Sequence, residues 1–220
     1  MAGCYDVIMG TARKSILLKG RTPEQQSVIK YFISDGGCLS SIITMNDTDF
    51  DRILQGKVSS LKIEEMAIAK LGVDPSQIKD VKPIFLDGYY FDEEDKDIFI
   101  KTWCKDNVDR CSKYQLSGIF FSQEQLFMYS YLFDLTNLKV SEKTAEYFYH
   151  DITSVSVDTV VIEKMRLNKG CLGFLDFSYY TSQFLKMEIT TAGKLFSCSV
   201  RVENEPAING MRHLIRERKR

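Results

Sequence analysis

Thiols and imidazoles are the side chains of this sequence that could support catalysis. A nucleophilic cysteine needs a base within reach, so the candidates for an enzyme are Cys104 or Cys111 with His150 or His213. Their spacing gives no support to any such pair. His150 stands beside Asp151, but side chains adjacent along a strand point to opposite faces, which favours a structural histidine.

The cysteines are dispersed, and no two of them have the C-x-x-C spacing of a zinc or redox site. In a chain whose start lacks an export signal, dispersed cysteines are typical of reduced, partly buried thiols in a cytosolic protein. We therefore predict no disulfide framework and no metal site. The six residues are Cys4, Cys38, Cys104, Cys111, Cys171 and Cys198.

The acidic segment 92–97 is the remaining candidate for a metal loop. A calcium loop needs oxygen ligands at alternate positions, which Asp92, Glu94 and Lys96 would occupy, and a lysine cannot ligate. A solvated loop is the better interpretation. The sequence also lacks a phosphate-binding loop, a dinucleotide fingerprint and a nucleophile elbow, so we predict no catalytic residue, no cofactor and no metal.

Composition and charge narrow the classes of protein to which this chain could belong. The chain has 220 residues, 44% hydrophobic and 27% charged, with a formal net charge of −1. This is ordinary globular composition, and the charge gives no electrostatic case for nucleic acid. No apolar run approaches the roughly 20 residues of a membrane helix, and Met1–Asp6 lacks the features of a signal peptide. We expect a cytoplasmic protein with no transmembrane segment.

Residues 1–110 are predicted to form a mixed, mainly α-helical N-terminal domain of unknown role. Thr22-Pro23-Glu24-Gln25 is a capping box that starts a helix, and Gly36-Gly37 ends it. A weaker helix is predicted over Asp47–Gln55 and a third over Ser60–Leu71, with Gly72 as its left-handed cap. Pro83–Phe91 then has strand chemistry, and Gly88 within it indicates a bulge or a close backbone approach. The polar segment 105–113 is the candidate domain boundary.

Residues 111–220 are predicted to be strands closed by one helix. Leu116–Phe121 and Leu126–Leu135 flank the loop Ser122–Gln125, and the second strand has apolar residues on both faces, as expected of an inner strand covered on two sides. The change of parity between Ile152 and Val155 requires a bulge or helical turn near Asp151–Ser154. Residues 160–183 fit a hairpin around Asn168-Lys169-Gly170, but their conformation stays open.

A final helix is predicted after Asn204, with its apolar stripe on Ile208, Met211, Leu214 and Ile215. Positive charge suits the C-terminal end of a helix dipole, so we expect the basic residues there to form a solvated terminus. These residues are Arg212, Arg216, Arg218, Lys219 and Arg220.

Three segments carry a resemblance to a known class. The words EYFYHDITSVSV, MEITTAGKLFSCSV and INGMRHLIRERKR resemble bacterial proteins with a C-terminal pleckstrin-homology-like (PH-like) domain. The resemblance implies an α+β fold in which a mostly helical N-terminal half (1–110) precedes a PH-like β-barrel or sandwich (111–220) capped by a C-terminal α-helix. Fold carries over in such a comparison better than function does.

The resemblance favours a non-catalytic interaction or scaffolding module that binds a protein or peptide through its PH-like domain. Phosphoinositide binding is not expected, because Leu116–Leu135 contains no lysine or arginine to hold a phosphorylated headgroup. Two alternatives stay open. One is an enzyme with an unrecognised site between the two halves, and the other is a weak membrane-surface binder acting through the basic end of the last helix.

Overall fold

The computed structural model describes residues 16–33, 45–92, 97–101, 104, 106, 108–169 and 175–219. Its helices are α1 (Pro23–Ile33), α2 (Asp47–Ser60), α3 (Ile63–Leu71) and α4 (Glu205–Arg218). Its strands are β1 (Ile84–Tyr89), β2 (Ile100–Lys101), β3 (Arg110–Cys111), β4 (Lys113–Phe121), β5 (Gln125–Asp134), β6 (Val140–Phe148), β7 (Ile152–Lys169), β8 (Leu175–Thr191) and β9 (Lys194–Val200).

The N-terminal helices begin and end where the local sequence predicts. Thr22 and Gln25 form the reciprocal capping box at the start of α1, with N–H···O distances of 3.0 and 3.2 Å. Gly72 follows α3 with a φ of 64°, the left-handed conformation that favours glycine. The predicted bounds were wrong by a few residues, since α2 continues to Ser60 and α3 begins only at Ile63. Gly36-Gly37, the predicted end of the first helix, lies outside the described residues.

The main sheet is antiparallel, with strand order β1-β4-β5-β6. Every residue of β4 is buried, as are most of β5. Both faces are covered, because α1, α2 and α3 pack on one face through a core that includes Val28, Phe50 and Tyr129. The prediction that Leu126–Leu135 is an inner strand covered on two sides is confirmed.

The second sheet, β7-β8-β9, packs with α4 against the other face of the main sheet. A 3-10 turn at Tyr149–Asp151 separates β6 from β7, and the pairing with β8 shifts register between Ile152 and Ser154. The predicted kink is therefore confirmed. The predicted hairpin is present as the paired strands β7 and β8, but its turn was predicted too early, since Asn168 and Lys169 still pair with Asp176 and Leu175. Residues 170–174 between the strands lie outside the described residues.

The two sheets meet along β1 and β9, where a glycine is required. A Cβ atom on Gly88 would lie 2.9 Å from the Val200 backbone nitrogen, closer than side chains approach. The predicted close approach at Gly88 is confirmed. β1 lies upstream of the predicted boundary at 110/111 and pairs with β4 downstream of it, so the main sheet spans that boundary. Separate folding of the two parts stays a prediction.

The fold is thus mixed helix and strand, with antiparallel sheets and a C-terminal helix. Ile208, Met211 and Ile215 of α4 are buried in the core between the sheets, as the stripe predicts. Asn204 does not cap α4, because its side chain instead accepts a hydrogen bond from the Arg201 N–H at 2.8 Å. Among the described residues, no helix is long and apolar enough to cross a membrane.

Candidate functional site

The thiols and imidazoles considered for catalysis lie in different surroundings. Cys104 is buried and its sulfur lies 3.8 Å from the Tyr31 hydroxyl, while the buried Cys111 thiol donates to the Tyr90 carbonyl oxygen. His150 and His213 are each about three-quarters exposed and contact the carboxylates of Asp151 and Glu217. Burial raises the pKa of the Cys104 thiol, which disfavours the reactive thiolate.

Cys104 instead borders a polar cluster built around a buried arginine. Arg110 is 2% exposed, and its guanidinium binds both oxygens of Asp51, from Nε at 2.8 Å and from Nη2 at 2.7 Å. It also binds both oxygens of Asp106, at 3.0 and 2.6 Å, and donates to the Val108 carbonyl oxygen. Asp51 belongs to α2 and Arg110 to β3, so this Arg110 cluster ties the helices to the segment that leads into the main sheet.

The charges in and beside the Arg110 cluster are paired. The hydrogen bonds from Arg110 lower the pKa of Asp106 to about 2, and the two carboxylates raise the pKa of the guanidinium. Next to the cluster, the Tyr31 hydroxyl donates to Asp47 at 2.8 Å, and Lys101 Nζ lies 3.6 Å from the same carboxylate. Burial lowers the pKa of Lys101, against the opposing effect of Asp47.

One group of metal-ligating type occurs in the described part of the chain, formed by Asp47, Cys104 and Asp106 within 4.8 Å of one another. Lys101 and Arg110 already contact its two carboxylates. A cation would have to displace a buried guanidinium from Asp106, so the arrangement suits a structural tie better than a metal centre. The acidic residues 93–96 of the predicted solvated loop lie outside the described residues.

A small cavity lies beside the second sheet. A cavity beside β8 and β9, lined in part by Tyr90, Phe91 and Phe184, has a volume of about 20 Å³. That volume is about the space that one water molecule needs.

The surface feature with unsatisfied binding capacity is the free edge of β7. Within the described part of the chain, this strand ends its sheet and pairs with β8 alone. The Val155 carbonyl oxygen accepts a hydrogen bond from Arg212 Nε of α4 at 3.2 Å, so it points away from β8. Because backbone direction alternates along an antiparallel strand, Val157, Thr159 and Val161 also direct their N–H and C=O groups outward. We call these outward backbone groups, from Ile152 to Val161, the β7 edge.

Helix α4 lies alongside the first part of the β7 edge. Arg212 binds the Val155 carbonyl oxygen, and Lys219 Nζ binds that of Ile152. Seven helical residues and three strand residues each rise about 10 Å, so the helix and strand run antiparallel side by side here. Two carbonyls of the edge are thereby capped by basic side chains of the same chain.

The basic end of α4 is only in part the solvated terminus that the sequence predicted, since Arg216 and Lys219 are exposed but Arg218 is engaged. Arg218 donates to the Ser122 carbonyl oxygen and lies over the Tyr149 ring, 5.6 Å from its centroid. The Tyr149 hydroxyl donates to that same carbonyl at 2.9 Å. Arg212 and Arg218 are only half-exposed for this reason. The expectation failed in part because the kinked segment and the β4–β5 loop present backbone carbonyls to this end of the helix.

Comparison with known proteins adds no assignment: no protein-family model matches the chain, and no curated protein or solved structure matches it either. The Arg110 cluster and the β7 edge thus rest on the geometry of this chain. Sequence reasoning missed both. The polar segment 105–113, interpreted as a boundary, holds the buried Arg110, and a free sheet edge leaves no local signal in a sequence.

Proposed function

We propose that this protein is a non-catalytic interaction module with a PH-like barrel, and that it binds an extended peptide of a protein partner by strand addition along the β7 edge. The observation that carries the proposal is the outward backbone of Val157, Thr159 and Val161, next to the part of the edge that α4 covers. An extended chain gains main-chain hydrogen bonds there without opening the core.

The arrangement of strands supports the PH-like part of the proposal. Four antiparallel strands, a kink, three more antiparallel strands and a C-terminal helix occur in that order from β1 to α4, with the short β2–β3 pair as an insertion. The resemblance of the three sequence segments implies strands closed by a C-terminal helix, which this order matches, although β1 comes from the part of the chain (1–110) that was expected to be mainly helical. The location in the cytoplasm stays a prediction.

The other exposed edge is less suited to a partner strand. β6 ends the main sheet and carries alternating charges at Glu142, Lys143 and Glu146, a pattern that protects sheet edges against pairing. Glu142 also accepts a hydrogen bond from the Tyr129 hydroxyl and contacts Lys70 of α3. The half-buried Val155 and Val157 of β7, in contrast, extend an apolar face that a partner strand could continue.

Proline substitutions at matched edge positions test the proposal. Val157→Pro removes an outward N–H without breaking a bond to β8. Thr144→Pro is the control on β6. The Tyr149 N–H donates to the Glu124 carbonyl oxygen, so the backbone of Tyr149 faces the neighbouring strand. Because backbone direction alternates, the N–H and C=O groups of Phe148 and of every second residue back to Thr144 point outward. A random twelve-residue peptide library is selected on the full chain, and the enriched peptides are then measured against both variants.

We expect the enriched peptides to bind Val157→Pro at least about tenfold more weakly, a loss of about 1.4 kcal/mol, while Thr144→Pro binds as the unchanged chain does. Circular dichroism confirms that both variants stay folded. Equal binding by all three proteins, or loss only with Thr144→Pro, would overturn the assignment to the β7 edge.

A further inference from the structure

We infer that the peptide recognised at the β7 edge is acidic, because basic side chains of α4 and of Lys219 just after it occupy two carbonyls that a peptide spanning the whole edge would take over. This inference rests on the proposed function and adds the chemical class of the partner. It follows from the contacts of Arg212 and Lys219 rather than from the openness of the edge.

A strand added along the whole edge has to replace these two caps. Its N–H groups would bind the carbonyl oxygens of Ile152 and Val155, which now accept hydrogen bonds from Lys219 and Arg212. Each carbonyl oxygen exchanges one hydrogen bond for another and stays satisfied. The two cationic groups, however, lose their acceptors and need new ones.

The charged groups around the caps do not supply those acceptors. On α4, Glu217 contacts His213, and on the turn before β7, Asp151 contacts His150. On β7 itself, Asp158 accepts a hydrogen bond from the Ser156 hydroxyl at 3.2 Å. Arg212 has one further described acceptor, the neutral side-chain oxygen of Asn209 at 3.1 Å.

Carboxylates on the incoming strand solve this problem. A carboxylate forms a stronger hydrogen bond with a guanidinium or ammonium group than a neutral carbonyl does. An acidic peptide therefore releases the caps at a net gain. A neutral strand leaves the two cations to hydration alone, and a basic strand is repelled by their like charge. The two basic caps thus favour acidic strands and disfavour strands that carry no acidic side chain.

Three synthetic decapeptides test the inference on the full chain: alternating valine–glutamate, valine–glutamine and valine–lysine, each labelled for fluorescence anisotropy. We expect the glutamate peptide to bind at least about tenfold more tightly than the glutamine peptide, and the lysine peptide most weakly. The preference should shrink as salt is raised, because charge pairs at a surface are screened.

Arg212→Met removes one cap and its charge while keeping a long side chain. We expect it to weaken the glutamate peptide and to tighten the glutamine peptide, so that the two affinities approach each other. The control is Arg52→Met, which removes the same charge from an exposed position on α2. It should leave the ratio of affinities unchanged. A uniform change with both variants would indicate only the effect of net charge.

The outcomes separate this inference from the proposed function. Binding of all three peptides with similar affinity, abolished by Val157→Pro, keeps the edge and overturns the acidic preference. A glutamate preference that Val157→Pro does not reduce places the acid site elsewhere and overturns the strand addition. If no decapeptide binds, both are overturned for these sequences, and sedimentation at increasing concentration shows whether a second copy of the chain occupies the edge instead.

Discussion

The two faces of the main sheet are covered by helices that are held in chemically opposite ways. On one face, Arg110 ties α2 to the segment before β4 through two carboxylates, and the cluster of three charges carries a net charge of −1. On the other face, Arg212, Arg218 and Lys219 hold α4 through neutral backbone carbonyls. The cation of the first cover is fully matched by carboxylates, whereas the cations of the second keep their positive charge.

This difference shows that the partner of a cation, more than its burial, decides what it can do next. A guanidinium bound bidentately by two carboxylates is already in its strongest arrangement, so a ligand has little to offer it. A guanidinium bound to a carbonyl is held in place and can still gain from an incoming carboxylate. The same residue type thus serves as a fixed tie on one face and as an exchangeable contact on the other.

The largest expected effect comes from removing the N-terminal cover altogether. A fragment of residues 80–220 keeps every strand of both larger sheets but exposes the apolar face that α1, α2 and α3 cover, so we expect it to unfold cooperatively only at a much lower temperature than the full chain. A fragment of residues 111–220 lacks β1, which pairs with six residues of β4 and approaches β9, so we expect a broad transition. Thermal unfolding followed by circular dichroism compares the two. Similar cooperative transitions would support a boundary at 110/111.

Removing the carboxylates of the Arg110 cluster should have the next largest effect. The double substitution Asp51→Ala and Asp106→Ala leaves a guanidinium that is 2% exposed without its charged partners, and we expect a loss of about 3–5 kcal/mol in unfolding free energy. Arg110→Met should lower the free energy of unfolding by less, because the two carboxylates that it leaves behind, Asp51 and Asp106, are 43% and 47% exposed and can be hydrated. Urea denaturation measures both, and the reverse order would contradict the tie described here.

In helix α4, Arg218→Met should lower the free energy of unfolding by about 1 kcal/mol, since it removes the hydrogen bond to Ser122 and the contact with the Tyr149 ring. Arg216→Met, on the exposed side of the same helix, is the control and should stay within about 0.5 kcal/mol. The same denaturation experiment applies. Equal losses of unfolding free energy in the two variants would favour the solvated terminus that the sequence predicted.

Acid should weaken the Arg110 cluster in a defined range. The pKa of Asp106 is lowered from 3.8 to about 2 by Arg110, so its contribution is fully present above pH 3.8 and is lost as the pH falls toward 2. Because this carboxylate is nearly half exposed, we expect a contribution of about 1 kcal/mol or less. The stability difference between the chain and Asp106→Asn should shrink over that range. A difference independent of pH would contradict the prediction.

The smallest expected effect concerns membranes. Three basic residues of α4 are engaged with carbonyls, so we expect only weak sedimentation with vesicles containing phosphatidylserine, lost as salt is raised above physiological strength. Arg216→Glu should reduce it further. Salt-resistant binding would instead favour the alternative of a membrane-surface protein.

Local sequence rules predicted the elements well. The Thr22–Gln25 capping box, the left-handed Gly72 and the kink before Val155 each depend on neighbours within a few residues, and each is present. The aromatic alternation of β5 predicted an inner strand, because apolar residues on both sides of a strand need cover on both sides.

The candidate sites could not be predicted in the same way, since their partners are distant in the chain. Arg110 and Asp51 are 59 residues apart, and nothing in the polar segment around Arg110 indicates a buried guanidinium. Arg212 meets Val155 across 57 residues. The free edge of β7 follows from the order of strands in a sheet, which periodicity within a single strand does not encode.

The contact between Gly88 and Val200 has a consequence for motion. Backbone meets backbone there with no side chain between, so we expect β1 and β9 to keep their separation when the two sheets move. We expect relative movement of the two sheets to open instead where α4 lies over Tyr149 and the start of β7. Amide hydrogen exchange should then be slow in β1 and β9 and faster in α4, and opening there uncovers the part of the β7 edge that α4 covers.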